Sequence, residues 1–79
     1  MEFFTYIVFS KTANLYYAGI TNNLEQRLKA HNKGKTTTTK IADDWAIVYS
    51  MSFNSRTEAY QHEKHIKGIG PKRFLQGQV

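Results

Sequence analysis

The sequence predicts an α+β domain, α/β in the broad sense, with a small three-stranded antiparallel sheet flanked by helices. The order is β-β-α-β-α, followed by a short C-terminal helix. Three observations carry this expectation. Two apolar runs, FFTYIVF and LYYAGI, are separated by Ser10 and four turn-forming residues, and a third run, WAIVYSMSF, alternates along its length. Between and after them, two segments open with an Asn or Ser three residues ahead of a Glu, which is how helices begin. Seventy-nine residues hold one domain, 1–79, near the size at which a single core only just suffices.

Phe3 to Phe9 carries apolar side chains at odd and even positions alike, as in a strand covered on both faces. Lys11, Thr12, Ala13 and Asn14 form a turn, and Leu15 to Ile20 returns as the second strand of a hairpin. Gly19 lies near its end, where a missing side chain lets another group approach. Asn22 with Glu25 resembles a capping box and Asn32 to Gly34 a stop, giving a first helix from Asn23 to Asn32. Lys35 to Asp44, with four consecutive threonines, is expected to be an exposed loop. Trp45, Ile47, Tyr49, Met51 and Phe53 alternate with small or β-branched residues, predicting a strand with one covered face. Ser55 with Glu58 opens a helix from Arg56 to Lys67; Gly68, Gly70 and Pro71 then break the chain, and Pro71 starts a final helix through Gln76.

The chain has no cysteine, so it has neither a disulfide framework nor a thiolate metal site, and a zinc finger is excluded. The apolar start MEFFTYIVF is short, lacks a basic lead-in and contains Glu2, which argues against a signal peptide and a membrane span; a cytoplasmic protein is expected. The net charge is +5 and clustered. Arg27, Lys29, Lys33, Lys35 and Lys40 have no acid among them, and Lys64, Lys67, Lys72 and Arg73 form a second acid-free group. Such clusters attract polyanions. Charge alone leaves a nucleic-acid face and a plain solubilising surface equally open.

Both helices put polar groups on their apolar stripes. Leu24, Arg27, Leu28 and His31 share one face of the first helix; Ala59, His62, Glu63 and Ile66 share one face of the second. A carboxylate or guanidinium turned inward is costly unless paired or bound. One explanation is structural, a partly buried Arg27–Glu63 ion pair with His31 at the rim of the core. The other takes in Tyr6 and Tyr17 at mid-strand of the hairpin: two hydroxyls near a guanidinium, an imidazole and a carboxylate make a phosphodiester site. Tyr16, Tyr49 and Tyr60 are read as core residues.

Phe4-Thr5-Tyr6 followed by Ile7, then Tyr17-Ala18-Gly19, then Asn23-Leu24-Glu25-Gln26-Arg27-Leu28, resembles the GIY-YIG nuclease superfamily. Ala59, Glu63 and Lys67, at successive i, i+4 positions, resemble its second signature. The likeness is greatest to small stand-alone bacterial members, similar to the N-terminal nuclease domain of the excinuclease, and runs from Phe3 to Lys67. It implies a three-stranded antiparallel sheet with the site across the sheet and the first two helices. Tyr6, Tyr17, Arg27, His31 and Glu63 are the catalytic candidates it implies, with Glu63 as metal ligand. The chain departs from the pattern at Phe4, Thr5 and Ala18. Ile20 stands where some members have a lysine, and Gly70-Pro71 interrupts the tail.

A single candidate carboxylate argues for one divalent ion, Mg²⁺ or Mn²⁺, since two-metal sites recruit several. Asp43 and Asp44, in the loop, are expected to supply charge or caps. Arg27 suits a phosphate through paired hydrogen bonds. The resemblance implies Tyr6 as general base with Tyr17 assisting, which requires its pKa to be lowered by Arg27 or the metal; His31 is the alternative base. Lys29, Lys33, Lys35 and Lys40 are expected to track the nucleic-acid backbone beside the cut, and Lys67, Lys72 and Arg73 from the other side. The expected function is a metal-dependent DNA endonuclease of repair or recombination, selective for structure rather than sequence, with RNA left open and no membrane partner. The rivals are a catalytically weak nucleic-acid-binding module of the same fold and a purely structural domain.

Overall fold

A strand with apolar side chains on both faces has to be covered twice, and β1 (Phe3–Ser10) occupies the centre of the sheet. The computed structural model describes residues 2–35 and 39–77. Neighbouring β1 are β2 (Leu15–Thr21) and β3 (Trp45–Phe53), both antiparallel to it, in the order β2-β1-β3. The hairpin closes through Lys11–Asn14, and Asn14 takes the left-handed conformation, φ 55°, that asparagine tolerates better than most residues.

Side chains alternate across β1 and sort the helices between two faces. Tyr6 and Val8, with Trp45, pack under Leu24 and Leu28 of α1 (Leu24–Asn32). Ile7, with Ala18, packs under Ile66 of α2 (Arg56–Ile69) and Phe74 of α3 (Pro71–Gln76). The Thr5 hydroxyl donates to the Ala59 carbonyl at 2.7 Å, so this polar side chain, buried on the α2 side of β1, is satisfied.

Five expectations need correction. The cap of α1 is Asn23 rather than Asn22: its side chain accepts from the Gln26 N–H at 3.0 Å, while its own N–H is taken by the Thr21 hydroxyl at 3.1 Å. Helix α2 runs through Gly68 to Ile69 and stops at Gly70, whose φ of 103° only glycine adopts readily. The alternating residues of β3 do not share one face. A bulge at Val48 pairs Val8 with Ile47 but Ile7 with Tyr49, so Trp45 and Ile47 face α1 while Tyr49 faces α2 and α3. Met51 and Tyr60 are about half exposed, so Tyr60 is not a core residue.

The fifth concerns the loop. Thr36–Thr38 lie outside the described residues, but Thr39 is fully buried and Asp44 is tied down. Asp44 accepts from the Ser10 hydroxyl at 2.5 Å and from the Thr12 N–H and hydroxyl at 3.0 and 2.8 Å, which lowers its pKa to about 2. It caps the hairpin turn, one of the two roles expected of it.

Candidate active site

Tyr6 and Gly19 are directly opposed in the β1–β2 ladder. A Cβ at position 19 would sit 2.6 Å from the Tyr6 Oη and 2.8 Å from its Cζ. The phenol therefore lies over bare backbone, and its hydroxyl projects toward α1. There the i, i+4 spacing brings two side chains of one helix face to the same oxygen. His31 Nε2 is 2.8 Å from Tyr6 Oη, and Arg27 Nε donates to that oxygen at 3.2 Å.

The groups perturb one another in predictable directions. His31 is 0% exposed, and burial, with the Arg27 charge second, lowers its pKa to about 4, so the ring is neutral at pH 7. It is a core residue, not one at the rim, and does not itself reach solvent. Tyr6 is 1% exposed, and burial raises its pKa. The Arg27 hydrogen bond and charge pull the other way, while Tyr17 and Glu63 add to the rise. The lowered tyrosine pKa expected of a free phenolate base is thus absent: desolvation outweighs the guanidinium.

Glu63, on α2, acts on this cluster through its charge, which adds to the rise in the Tyr6 pKa. Its side chain is 13% exposed and its Oε2 lies 3.5 Å from Lys67 Nζ, which in turn sits 5.5 Å from the centre of the Tyr17 ring. Tyr17 belongs to the face covered by α1, and its ring stands edge-on to His31 at 5.6 Å. Helix α2 thus brings Lys67, paired with Glu63, against Tyr17 of β2, the strand at one edge of the sheet. The Arg27–Glu63 ion pair does not form: Glu63 pairs with Lys67, and Arg27 donates to Tyr6.

Residues 2–72 match the family model described as the GIY-YIG catalytic domain. The chain belongs to the GIY-YIG family. That membership implies a nuclease acting on nucleic acid. The chain is 38% identical to the UPF0213 protein YazA of Bacillus subtilis over 89% of its own length and 71% of that protein. It is 40% identical to the UPF0213 protein SH2523 of Staphylococcus haemolyticus, over 91% of its length and 88% of that protein. The solution structure of the UPF0213 protein BH0048 from Bacillus halodurans is similar, with a TM-score of 0.58 and 27% identity over 96% of this chain and 81% of that one.

Within this GIY-YIG domain the departures from the motif have local causes. Thr5 spends its hydroxyl on α2, and Ala18 is buried in the cluster under Ile66 and Phe74. The cations divide between two faces. Lys29, Lys33 and Lys35 line a groove with Arg27 and Gln26, and Lys40 lies in an adjoining groove with Lys33. Lys72 and Arg73 line a different groove, on the α3 side with Leu15 and Tyr16. Among the described residues no helix is long and apolar enough to cross a membrane, and no group of three or more His, Cys, Asp or Glu side chains could hold a metal.

Two residues around this cluster escape sequence reasoning. Thr39 Oγ1 lies 2.7 Å from His31 Nδ1, and the Thr39 carbonyl accepts from Trp45 Nε1 at 2.8 Å. Asn32 clamps the end of α1 to β3, accepting from the Trp45 N–H at 2.6 Å and donating to its carbonyl at 3.0 Å. The sequence presents Asn32 only as a helix stop, and Thr39 as one threonine in a run of four.

Proposed function

We propose that the protein is a divalent-metal-dependent endonuclease that cuts DNA in the cytoplasm, selects structure rather than sequence, and serves repair or recombination. The observation that carries this reading is the Tyr6 hydroxyl held between the Arg27 guanidinium and a neutral His31. Arg27 is half-buried and lines a groove rich in lysine, so a phosphodiester in that groove meets a fixed, permanently charged donor. Lys29, Lys33 and Lys35 hold the flanking phosphates, and Lys40 extends the track. No base-reading element accompanies them among the described residues, which favours recognition by shape.

Tyr6 is a poor phenolate but a good relay. Its O–H donates to His31 Nε2, so it accepts a proton from the attacking water as its own passes to the imidazole. The water oxygen bonds to phosphorus, the bond to the leaving oxygen breaks, and the proton resides on His31. Burial is the main cause of the weak basicity of His31 and the Arg27 charge the second; an anionic phosphate against Arg27 offsets the second. Tyr17, half-buried beside His31, positions the water.

Glu63 fits one hard divalent ion, Mg²⁺ or Mn²⁺. It is a lone, partly shielded carboxylate that already holds a cation, the Lys67 ammonium, and Mg²⁺ is commonly bound by one or two carboxylates with water and phosphate oxygens completing its shell. When bound, such an ion supplies charge neutralisation at the phosphate and its leaving oxygen.

The test is incubation of purified protein with branched, nicked and single-stranded DNA in Mg²⁺ or Mn²⁺. Cleavage of at least one structure, lost in Arg27→Ala and Glu63→Ala with the melting temperature kept, is expected. DNA binding that is steeply salt-dependent but never followed by cutting means a binding module instead.

A further inference from the structure

Thr39 is 0% exposed, while Lys40, Ile41, Asp43 and Asp44 after it are exposed. A valine would fill the same space without a buried hydroxyl, so the oxygen is retained at a cost that only a hydrogen bond offsets. That bond goes to His31 Nδ1 at 2.7 Å. The residue is also gripped from a second direction, since its carbonyl accepts from the Trp45 indole, and the Trp45 backbone is itself clamped by Asn32. Thr39 Oγ1 is therefore a fixed point beside the imidazole.

The Arg27 end of this column of hydrogen bonds has a fixed direction. Arg27 Nε–H can only donate, so Tyr6 Oη accepts from it. With Arg27 as donor, the phenol proton is free to point to His31 Nε2 at 2.8 Å, and Nε2 then presents a lone pair. A neutral imidazole with a free lone pair on Nε2 carries its proton on Nδ1, and that N–H faces Thr39 Oγ1. The column thus runs Arg27 to Tyr6 to His31 to Thr39, each donating to the next. We infer that Thr39 is a positioning residue that holds His31 in the Nδ1–H tautomer and so keeps Nε2 available as acceptor for the Tyr6 proton. In the opposite tautomer Nε2 would already carry a proton, and the relay would have no proton sink. The consequence for cleavage rests on the nuclease reading; the tautomer does not.

The test is two-part, on wild type, Thr39→Val and Thr39→Ser. Long-range ¹H–¹⁵N NMR of the imidazoles reads the His31 tautomer without any substrate. Wild type and Thr39→Ser are expected to show protonated Nδ1 and bare Nε2, and Thr39→Val to lose that pattern. In cleavage assays Thr39→Val is expected to lose ~10–100-fold in kcat with KM kept, as for other groups that orient a functional histidine, and Thr39→Ser to recover most of it. A wild-type ring protonated at Nε2 overturns the inference outright, as does a Thr39→Val protein that keeps the wild-type pattern or a serine that restores nothing. If the NMR pattern holds while wild type cuts no DNA, the nuclease reading falls and the tautomer assignment stands.

Discussion

Gly19 lies opposite Tyr6, and the Tyr6 hydroxyl occupies the space that any side chain at 19 would need. Gly19→Ala must therefore displace the phenol from Arg27 and His31. It is expected to cost about 1–3 kcal/mol in urea unfolding, as overpacking does, and to abolish cleavage; an unchanged midpoint with full activity contradicts the close approach. His31 makes a second prediction. Its pKa falls from 6.5 unfolded to about 4 folded, so between these values the unfolded chain binds more protons. Stability is then fully present above pH 6.5 and declines as pH falls toward 4, by on the order of 3 kcal/mol. Unfolding midpoints measured across that range in wild type and His31→Gln check the sign: the decline should be largely absent in the variant. The sequence places Tyr6, Arg27 and His31 together through mid-strand position and i, i+4 spacing. It does not reveal that burial would outweigh Arg27 at Tyr6, because desolvation depends on how closely α1 seats on the sheet.

At the scale of elements, hydrophobic period and capping chemistry set the order of strands and helices, and β3 and α3 end where the pattern says. The face assignment within β3 does not follow, since one bulge at Val48 sends Ile47 and Tyr49 to opposite sides and leaves no mark in a strictly alternating run. The loop before β3 is equally opaque. Its composition is that of a solvated segment, yet Thr39 and Asp44 each supply a buried or bridging bond to residues distant in the chain. Asn32 joins α1 to β3 through two hydrogen bonds to one residue. Asn32→Leu leaves the Trp45 N–H and C=O without that partner and is expected to lower stability by about 2 kcal/mol. Because His31 precedes Asn32 on the same helix turn, the His31 resonances should broaden or shift as well; an unperturbed His31 means that α1 is seated by Leu24 and Leu28 alone.

Over the whole molecule the charge divides between two faces that the sheet separates. The groove of Arg27, Lys29, Lys33 and Lys35 lies on the α1 side with the Tyr6 hydroxyl; Lys72 and Arg73 lie on the α3 side. Sequence clusters show how many cations there are and not which share a surface. If DNA lies in the α1 groove, Lys33→Gln and Lys35→Gln each flatten the dependence of log K on log salt by about 0.9, and Lys72→Gln leaves it unchanged. An equal effect from Lys72 means that the duplex wraps the sheet edge. Single-turnover cleavage of branched DNA tests most directly whether Arg27, Tyr6, His31 and Glu63 form one metal-dependent site. Wild type should cut with Mg²⁺ or Mn²⁺ and not with EDTA, and Glu63→Gln and Arg27→Lys should each slow the cut at least ~100-fold without lowering the melting temperature. Cutting by Glu63→Gln at the wild-type rate, or by wild type in EDTA, contradicts a single metal-dependent site.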